Sequence, residues 1–168
     1  MFVTNHVLSG FAIGQLLSRH PVAAFAVGVA SHLALDAIPH WGCDRKTPDG
    51  YRQFLHAARI DGLVGLSVAA LGATFAGRDM RTATVAAMAG AVLFDVDKPA
   101  EHFLGIRLFP RFVNKLHGRI QKESTDGFGR ELAWGFTFVG LDATAAVLRR
   151  SAGKSRRSLP FSGGDWRR

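Results

Sequence analysis

The sequence predicts an all-α fold, a helical bundle of about five apolar helices. Three observations lead to this prediction: no segment alternates apolar and polar residues as a half-buried strand would, five segments have the length of helices, and Pro or Gly stands near the breaks between them. The chain has 168 residues, of which 48% are hydrophobic, so it suits one folded domain. Its single cysteine, Cys43, excludes a disulfide scaffold and a zinc ribbon built from several cysteines.

Proline bounds the first two predicted helices. The first is predicted over residues 4–18. Pro21 suits the first turn of the second helix, which we expect to end near residue 38 because Pro39 follows. A polar loop over residues 41–50 then separates this helical pair from the rest of the chain.

The third and fourth predicted helices are rich in Gly and Ala, and their apolar parts, which begin at Gly62 in the third helix, lack a charged face. They cover residues 51–76 and 82–94. A long polar stretch follows, residues 95–129, in which the segment 109–121 is a candidate helix. The fifth helix is predicted over residues 130–148. Short turns between these segments predict an up-and-down bundle.

The chain is basic, with 21 Lys and Arg residues against 13 acidic residues and a net charge of +8. Two domains are predicted: a helical domain over residues 1–148 and a basic, disordered tail over residues 149–168. Positive charge suits nucleic acid or anionic lipid as a partner. No basic stripe with interleaved aromatic residues and no helix-turn-helix signature is present, so we expect membrane lipid and no nucleic acid.

Composition alone leaves a membrane bundle and a soluble bundle equally open. The apolar helices pack small residues closely, as membrane helices do. However, the longest uncharged run of the third helix spans only residues 62–77, and crossing a bilayer takes roughly 20 residues. Basic residues are balanced between the two ends of the bundle, so they do not orient the chain in a membrane. Oligomeric state is equally open.

One end of the predicted bundle gathers imidazole and carboxylate groups. His32 and Asp36 share a helical face, and His40 follows just past the helix end. Such groups bind zinc, manganese or iron, and a cation would explain acids within apolar helices. The predicted metal ligands are His6, His32, Asp36, His40, Asp95 and Asp97.

Each of these candidates also has a simpler interpretation. His32 could be a hydrogen-bonded core histidine, His6 a surface residue near a helix start, and Asp95 a solvated acid paired with Lys98 at a helix end. His117 could join the site, or it could lie on an amphipathic surface helix.

A hydrolytic site also needs a general base and a positive charge beside a phosphate. Asp61 and His102 are the candidate bases, although Asp61 could instead pair with a neighbouring basic residue on its helix. Lys98 is the candidate cation, because its ammonium group can neutralise a phosphate oxygen but cannot ligate a metal while protonated.

Two motifs resemble known families. The segment DVDKP at residues 95–99, with FLGIRL at residues 103–108, is similar to the Asp-x-Asp-His-Pro…Phe-Leu-Gly-x-Arg-Leu segment of the LexA-regulated, inner-membrane-associated metal-dependent hydrolases. The pattern of His32, Asp36 and Pro39-His40 further resembles small bacterial membrane proteins near the zinc-dependent phospholipase C group. This chain departs from the first family at Lys98, where that family has His.

The resemblance implies a helical protein of the bacterial inner membrane with a divalent metal, zinc before manganese or iron. The function expected from it is metal-dependent hydrolysis of a phosphoester or lipid. The alternative is a non-catalytic integral membrane protein whose polar cluster is structural or binds a partner. Bound metal together with turnover separates the first from the second.

Overall fold

The computed structural model describes residues 1–157, and it confirms the all-α prediction. The helices in chain order are α1 (Val3–Leu16), α2 (Pro21–Asp36), α3 (Pro48–Phe75), α4 (Arg78–Val92), α5 (Asp97–Leu104), α6 (Arg111–Ile120) and α7 (Phe128–Arg157). Short 3-10 helices cover Leu93–Val96 and Thr125–Gly127. Strands β1 (His40–Trp41) and β2 (Glu123–Ser124) pair in parallel.

The long polar stretch contains two helices. Helix α6 confirms the candidate helix over residues 109–121, whereas α5 was not predicted; Gly105, in the left-handed region with φ 68°, ends α5. The two short strands were not predicted, because two residues are too few for an alternating pattern. Helix α7 continues past the predicted domain boundary at residue 148, and residues 158–168 of the predicted tail lie outside the described residues.

Helix α4 lies at the centre of the bundle, against both α1 and α2. The contact with α1 is backbone against backbone: a Cβ on Gly10 would lie 2.7 Å from Cα of Met88. A Cβ on Gly28 of α2 would similarly collide with the carbonyl oxygen of Ala87. Small residues therefore let three helices approach closely and hold them in fixed register.

Many polar side chains are buried in the described part of the fold, and many large apolar side chains are exposed. Its largest fully buried side chains are His6, His32, His40, Glu131, Thr84 and Asp36. By contrast, Leu66 and Phe75 of α3 are 70% and 81% exposed, and Phe136 of α7 is 75% exposed. Buried histidines and acids, together with exposed leucines and phenylalanines, are uncommon in a water-soluble domain.

Two helices are long and apolar enough to cross a membrane, by length and composition. They are α3 and the segment Thr125–Leu148, which includes most of α7. In the most apolar 18-residue stretch of each helix, only 6% is buried inside the fold. Neither helix is therefore a core helix covered by the rest of the protein. Helix α2 is also apolar, but it is shorter.

Candidate metal centre

Four buried residues from three parts of the chain converge at one end of the bundle. They are His32 and Asp36 on α2, Asp95 on the 3-10 helix after α4, and His117 on α6. One nitrogen or oxygen atom from each lies within 4.8 Å of the corresponding atom of every other. A group with this composition and spacing could hold a metal ion.

Helix α2 supplies two of the four because His32 and Asp36 are one turn apart. Their Nε2 and Oδ2 atoms are separated by 3.4 Å. Nδ1 of His32 lies 2.7 Å from the carbonyl oxygen of Ala91, so it carries the proton and donates it to that oxygen. This hydrogen bond leaves the lone pair of Nε2 facing the other three residues, as in histidines that ligate metals.

His117 faces the same point from α6. Its Nε2 lies 3.0 Å from Nε2 of His32 and 2.8 Å from Oδ2 of Asp36. Two imidazole nitrogens at this distance repel each other unless a proton or a cation lies between them. Two nitrogens bound to one tetrahedral zinc would be roughly 3.3 Å apart, so the observed separation is compatible with shared ligation.

Asp95 is only 4% exposed, which makes its charge costly unless it is compensated. Its Oδ1 lies 3.0 Å from Nζ of Lys98, while Oδ2 accepts no hydrogen bond from the described residues. Burial favours the protonated acid, but the Lys98 ammonium together with His6 and His32 holds the pKa of Asp95 well below its usual range. Burial lowers the pKa of Lys98, but Asp95, with Asp36 and Glu123, raises it, so the pKa of Lys98 lies above its usual value.

His6 lies beside the four residues. Its Nε2 is 3.2 Å from Oδ1 of Asp36 and 3.6 Å from Oδ2 of Asp95, and its ring stacks on that of His32. Within the described part of the chain, Nδ1 of His6 is buried and has no hydrogen-bond partner. Together with Oδ2 of Asp95 it leaves unsatisfied polar capacity around the site, which suits a cation better than a closed hydrogen-bond network.

Asp36 is the most heavily contacted of the four. Oδ1 faces His6 and also the Met1 amino group, at 2.8 Å. Oδ2 accepts a hydrogen bond of 3.0 Å from the amide of Gln121, in addition to its contact with His117. These contacts fix the orientation of the carboxylate, as hydrogen-bond partners do for acids that ligate a metal.

Besides His6, two other predicted ligands, His40 and Asp97, lie outside the four-residue group. His40 is buried nearby, and its Nδ1 donates to the carbonyl oxygen of Ile38 at 2.8 Å. Burial and the positive amino terminus lower the pKa of His40. Asp97 has a structural role instead: its carboxylate accepts hydrogen bonds from the backbone of Leu108 and Phe109 and from the amide of Asn114. It therefore holds the connection between α5 and α6.

The structure gives the two candidate bases other contacts. Both oxygens of Asp61 accept hydrogen bonds from the first turn of α1: Oδ2 from the backbone of Val3 at 2.6 Å, and Oδ1 from the backbone and hydroxyl of Thr4. Asp61 thus caps α1 from another helix. His102 packs against α3, edge-on to Phe54, and its Nδ1 lies 3.3 Å from the Tyr51 hydroxyl.

Gln121 was not among the candidate residues, and the role of His117 was left open. Their spacing is the available signal: they are one helical turn apart, as His32 and Asp36 are, and both face Oδ2 of Asp36. An i, i+4 pair of polar residues on a short helix is too common to identify a site without the partner helix.

Comparison with known proteins assigns no family to this chain. No protein-family model matches the sequence, and no curated protein or solved structure is similar enough to match. The geometry of the centre therefore carries the functional argument.

Proposed function

We propose that this protein is a membrane-embedded, metal-dependent hydrolase of phosphoesters, located in the bacterial inner membrane. The observation that supports this proposal is the convergence of His32, Asp36, Asp95 and His117, with one donor atom from each within 4.8 Å of the others. The family resemblance in the sequence points to the same function, but the geometry stands without it.

The donor set fits a divalent cation. Two imidazole nitrogens and two carboxylate oxygens are ligands that zinc, manganese and iron all accept, and we assign zinc first because four such ligands satisfy its tetrahedral preference. Two buried carboxylates also attract a divalent cation, in addition to the Lys98 and Met1 ammonium groups that contact their Oδ1 atoms. When bound, the cation supplies a Lewis acid that polarises a phosphoryl oxygen and makes water nucleophilic near neutral pH.

The distribution of polar and apolar side chains supports a membrane environment. Apolar side chains that face water over this much of a surface favour aggregation, whereas in lipid they face their preferred solvent. The nearly uncovered faces of α3 and α7 fit this environment. Ionisable groups within such a fold belong where they face a site in its interior, as the four residues do.

The reaction is hydrolysis of a phosphoester. A water oxygen forms a bond to phosphorus, the bond from phosphorus to the ester oxygen breaks, and the departing alcohol takes up a proton. Lys98 is positioned to neutralise charge on the phosphoryl oxygens, since its ammonium group lies beside Asp95. His6 faces Asp36 and Asp95, and its Nε2 can hold a proton between them.

The test combines metal analysis with a phosphodiesterase assay on detergent-purified protein. Wild type and the control His56→Ala, an exposed histidine of α3, should each contain about one zinc and hydrolyse bis(4-nitrophenyl) phosphate. His32→Ala and His117→Ala should lose both. His117→Ala is the more informative variant, because His117 lies on α6, outside the tightly packed helices α1, α2 and α4. Removal of the His117 side chain should therefore leave these three helices folded.

Each other outcome decides against part of the proposal. Protein that contains no metal in any preparation refutes the metal centre. Stoichiometric metal without turnover, accompanied by a loss of thermal stability on chelation, refutes the hydrolase and supports the non-catalytic alternative.

A further inference from the structure

A large apolar groove lies beside the metal centre. It has a volume of about 790 Å³ and is lined by residues of α1, α3, α4 and α5. Its walls carry aliphatic side chains and alanines, including Leu63, Leu66, Ala69, Val85 and Met88. This volume is within the range of small-ligand sites, but the lining offers little for a polar ligand to bind.

The character of the groove changes at one end. There Asp95, Lys98 and Arg59 line it, so the groove reaches a residue of the metal centre. The Arg59 guanidinium lies over the Phe103 ring, 5.6 Å from its centroid, and it spans from α3 to α5. Two basic side chains beside the centre complement an anionic group, while the apolar walls complement a hydrocarbon chain.

A second, polar opening lies next to the centre. It is smaller, about 180 Å³, and lies between α5 and α6. Asn114, His117 and Arg45 line it. Lys98 and Gln121 line both the groove and this opening, so the two spaces adjoin, and each has one residue of the metal centre in its lining: Asp95 in the groove and His117 in the opening.

We propose that the groove binds the acyl chain of an anionic lipid phosphoester, with its phosphate at Lys98 and Arg59. This inference rests on the proposed function and names its substrate class. The lipid enters between α3 and the rest of the bundle. After the phosphoester is cleaved, the acyl part stays on the groove side, and the water-soluble part leaves by the polar opening.

An acyl chain fits this groove better than a protein segment does. One wall is α3, a helix apolar enough to cross a membrane, and its exposed residues Leu63 and Leu66 also line the groove. The groove is therefore continuous with the surface that the proposed membrane would cover. An extended peptide placed there would leave its backbone donors and acceptors without partners, whereas a hydrocarbon chain has no such groups.

Photo-crosslinking tests the occupant without requiring turnover. The probe is phosphatidic acid with a diazirine on its acyl chain, mixed into phosphatidylcholine nanodiscs that contain the full-length protein. Labelled sites are located by mass spectrometry. The expected labels cluster on residues 63–73 of α3 and 85–92 of α4, and the same pattern should be obtained after treatment with a chelator.

Adjacent alanines on α3 provide matched variants. Ala69 lines the groove, whereas Ala70 is exposed and does not line it. Ala69→Phe should remove the clustered labels, and Ala70→Phe should keep them. Labels spread evenly over α3 and α7, or equal labelling of both variants, would overturn the proposal, because they indicate ordinary lipid around a membrane protein.

The head group is tested by competition. Unlabelled phosphatidic acid should displace the probe from wild type much better than phosphatidylcholine does, and Lys98→Gln should weaken this displacement roughly tenfold. Arg59→Gln serves as a second variant, because Arg59 is exposed and does not contact Asp95. If neither variant changes the displacement, the assigned phosphate site is wrong.

Assays of two substrates, one small and one with a long acyl chain, distinguish failure of the lipid-binding inference from failure of the proposed hydrolase. Ala69→Phe should retain hydrolysis of bis(4-nitrophenyl) phosphate and lose hydrolysis of long-chain phosphatidic acid. Clustered labelling of a protein that hydrolyses neither compound refutes the hydrolase and leaves lipid binding in place. Hydrolysis of both compounds by Ala69→Phe refutes the groove as the acyl site and leaves the hydrolase in place.

Discussion

The packing of α1 on α4 predicts that Gly10→Ala, the smallest possible enlargement, damages both stability and the metal centre. A Cβ at position 10 would lie 2.7 Å from Cα of Met88 and 2.9 Å from the carbonyl oxygen of Ala87. Non-bonded carbon atoms rest at about 3.5–4.0 Å, so α1 must move by roughly 0.8 Å. The neighbouring atoms belong to the backbone and cannot rotate away.

Two opposing effects set the size of the change. Overpacking of this kind costs about 1–3 kcal/mol, while replacing Gly by Ala in a helix gains up to about 1 kcal/mol. We therefore expect a net loss of about 0–2 kcal/mol, which lowers the melting temperature by up to roughly 8 °C for a chain of this length. His6, one turn before Gly10, moves with α1 relative to Asp36 and Asp95, so metal affinity should fall as well.

The assay is a thermal melt in detergent, combined with zinc analysis. The matched control is Gly62→Ala on α3, where a Cβ would meet nothing within 4 Å. This control should gain about 0.5–1 kcal/mol from helix propensity alone and keep its metal. If Gly10→Ala is as stable as Gly62→Ala and binds zinc equally well, then close packing of α1 on α4 does not position the centre.

Two further predictions concern residues around the centre. Asp61→Asn should lower stability by about 1 kcal/mol, because it removes the charged cap from the first turn of α1, and it should leave the bound metal unchanged in elemental analysis. Loss of activity without loss of stability would instead restore Asp61 as a base. Chelation should speed amide hydrogen exchange in α6 much more than in α1 or α2, because His117 joins α6 to the centre; equal protection in α6 with and without chelator would contradict ligation by His117.

The sequence predicted the fold well where helices are long and bounded by proline. Pro21 begins α2 as expected, and α1, α3 and α4 lie within a few residues of their predicted bounds. The polar stretch between α4 and α7 was harder, because its two helices are short and are held by tertiary contacts. Asp97 connects α5 to the start of α6, and β1 joins β2 across more than eighty residues of sequence.

The site was predicted in part, for a reason specific to each residue. His32 and Asp36 were identifiable because one helical turn places them together on any α-helix. Asp95 and Asp97 are indistinguishable in sequence; the 3-10 helix that follows α4 directs the first inward, while the second holds the loop at Leu108. The position of His117 depends on where α6 packs, and no local pattern specifies this.

The interior of this protein also explains why composition could not decide between water and membrane. Mean hydropathy averages over all residues, so it does not record which side of each helix the apolar residues occupy.

Close contacts at Gly10 and Gly28 build the core of this protein almost without large apolar side chains. Many leucines and phenylalanines are thereby left for the outer surface, and interior space is left for histidines and acids. In water this arrangement would forgo most of the hydrophobic stabilisation of folding. In lipid that driving force is absent, and small-residue packing with buried polar contacts is the expected source of stability. The packing that favours a membrane is therefore also the packing that brings His6, His32 and Asp95 together.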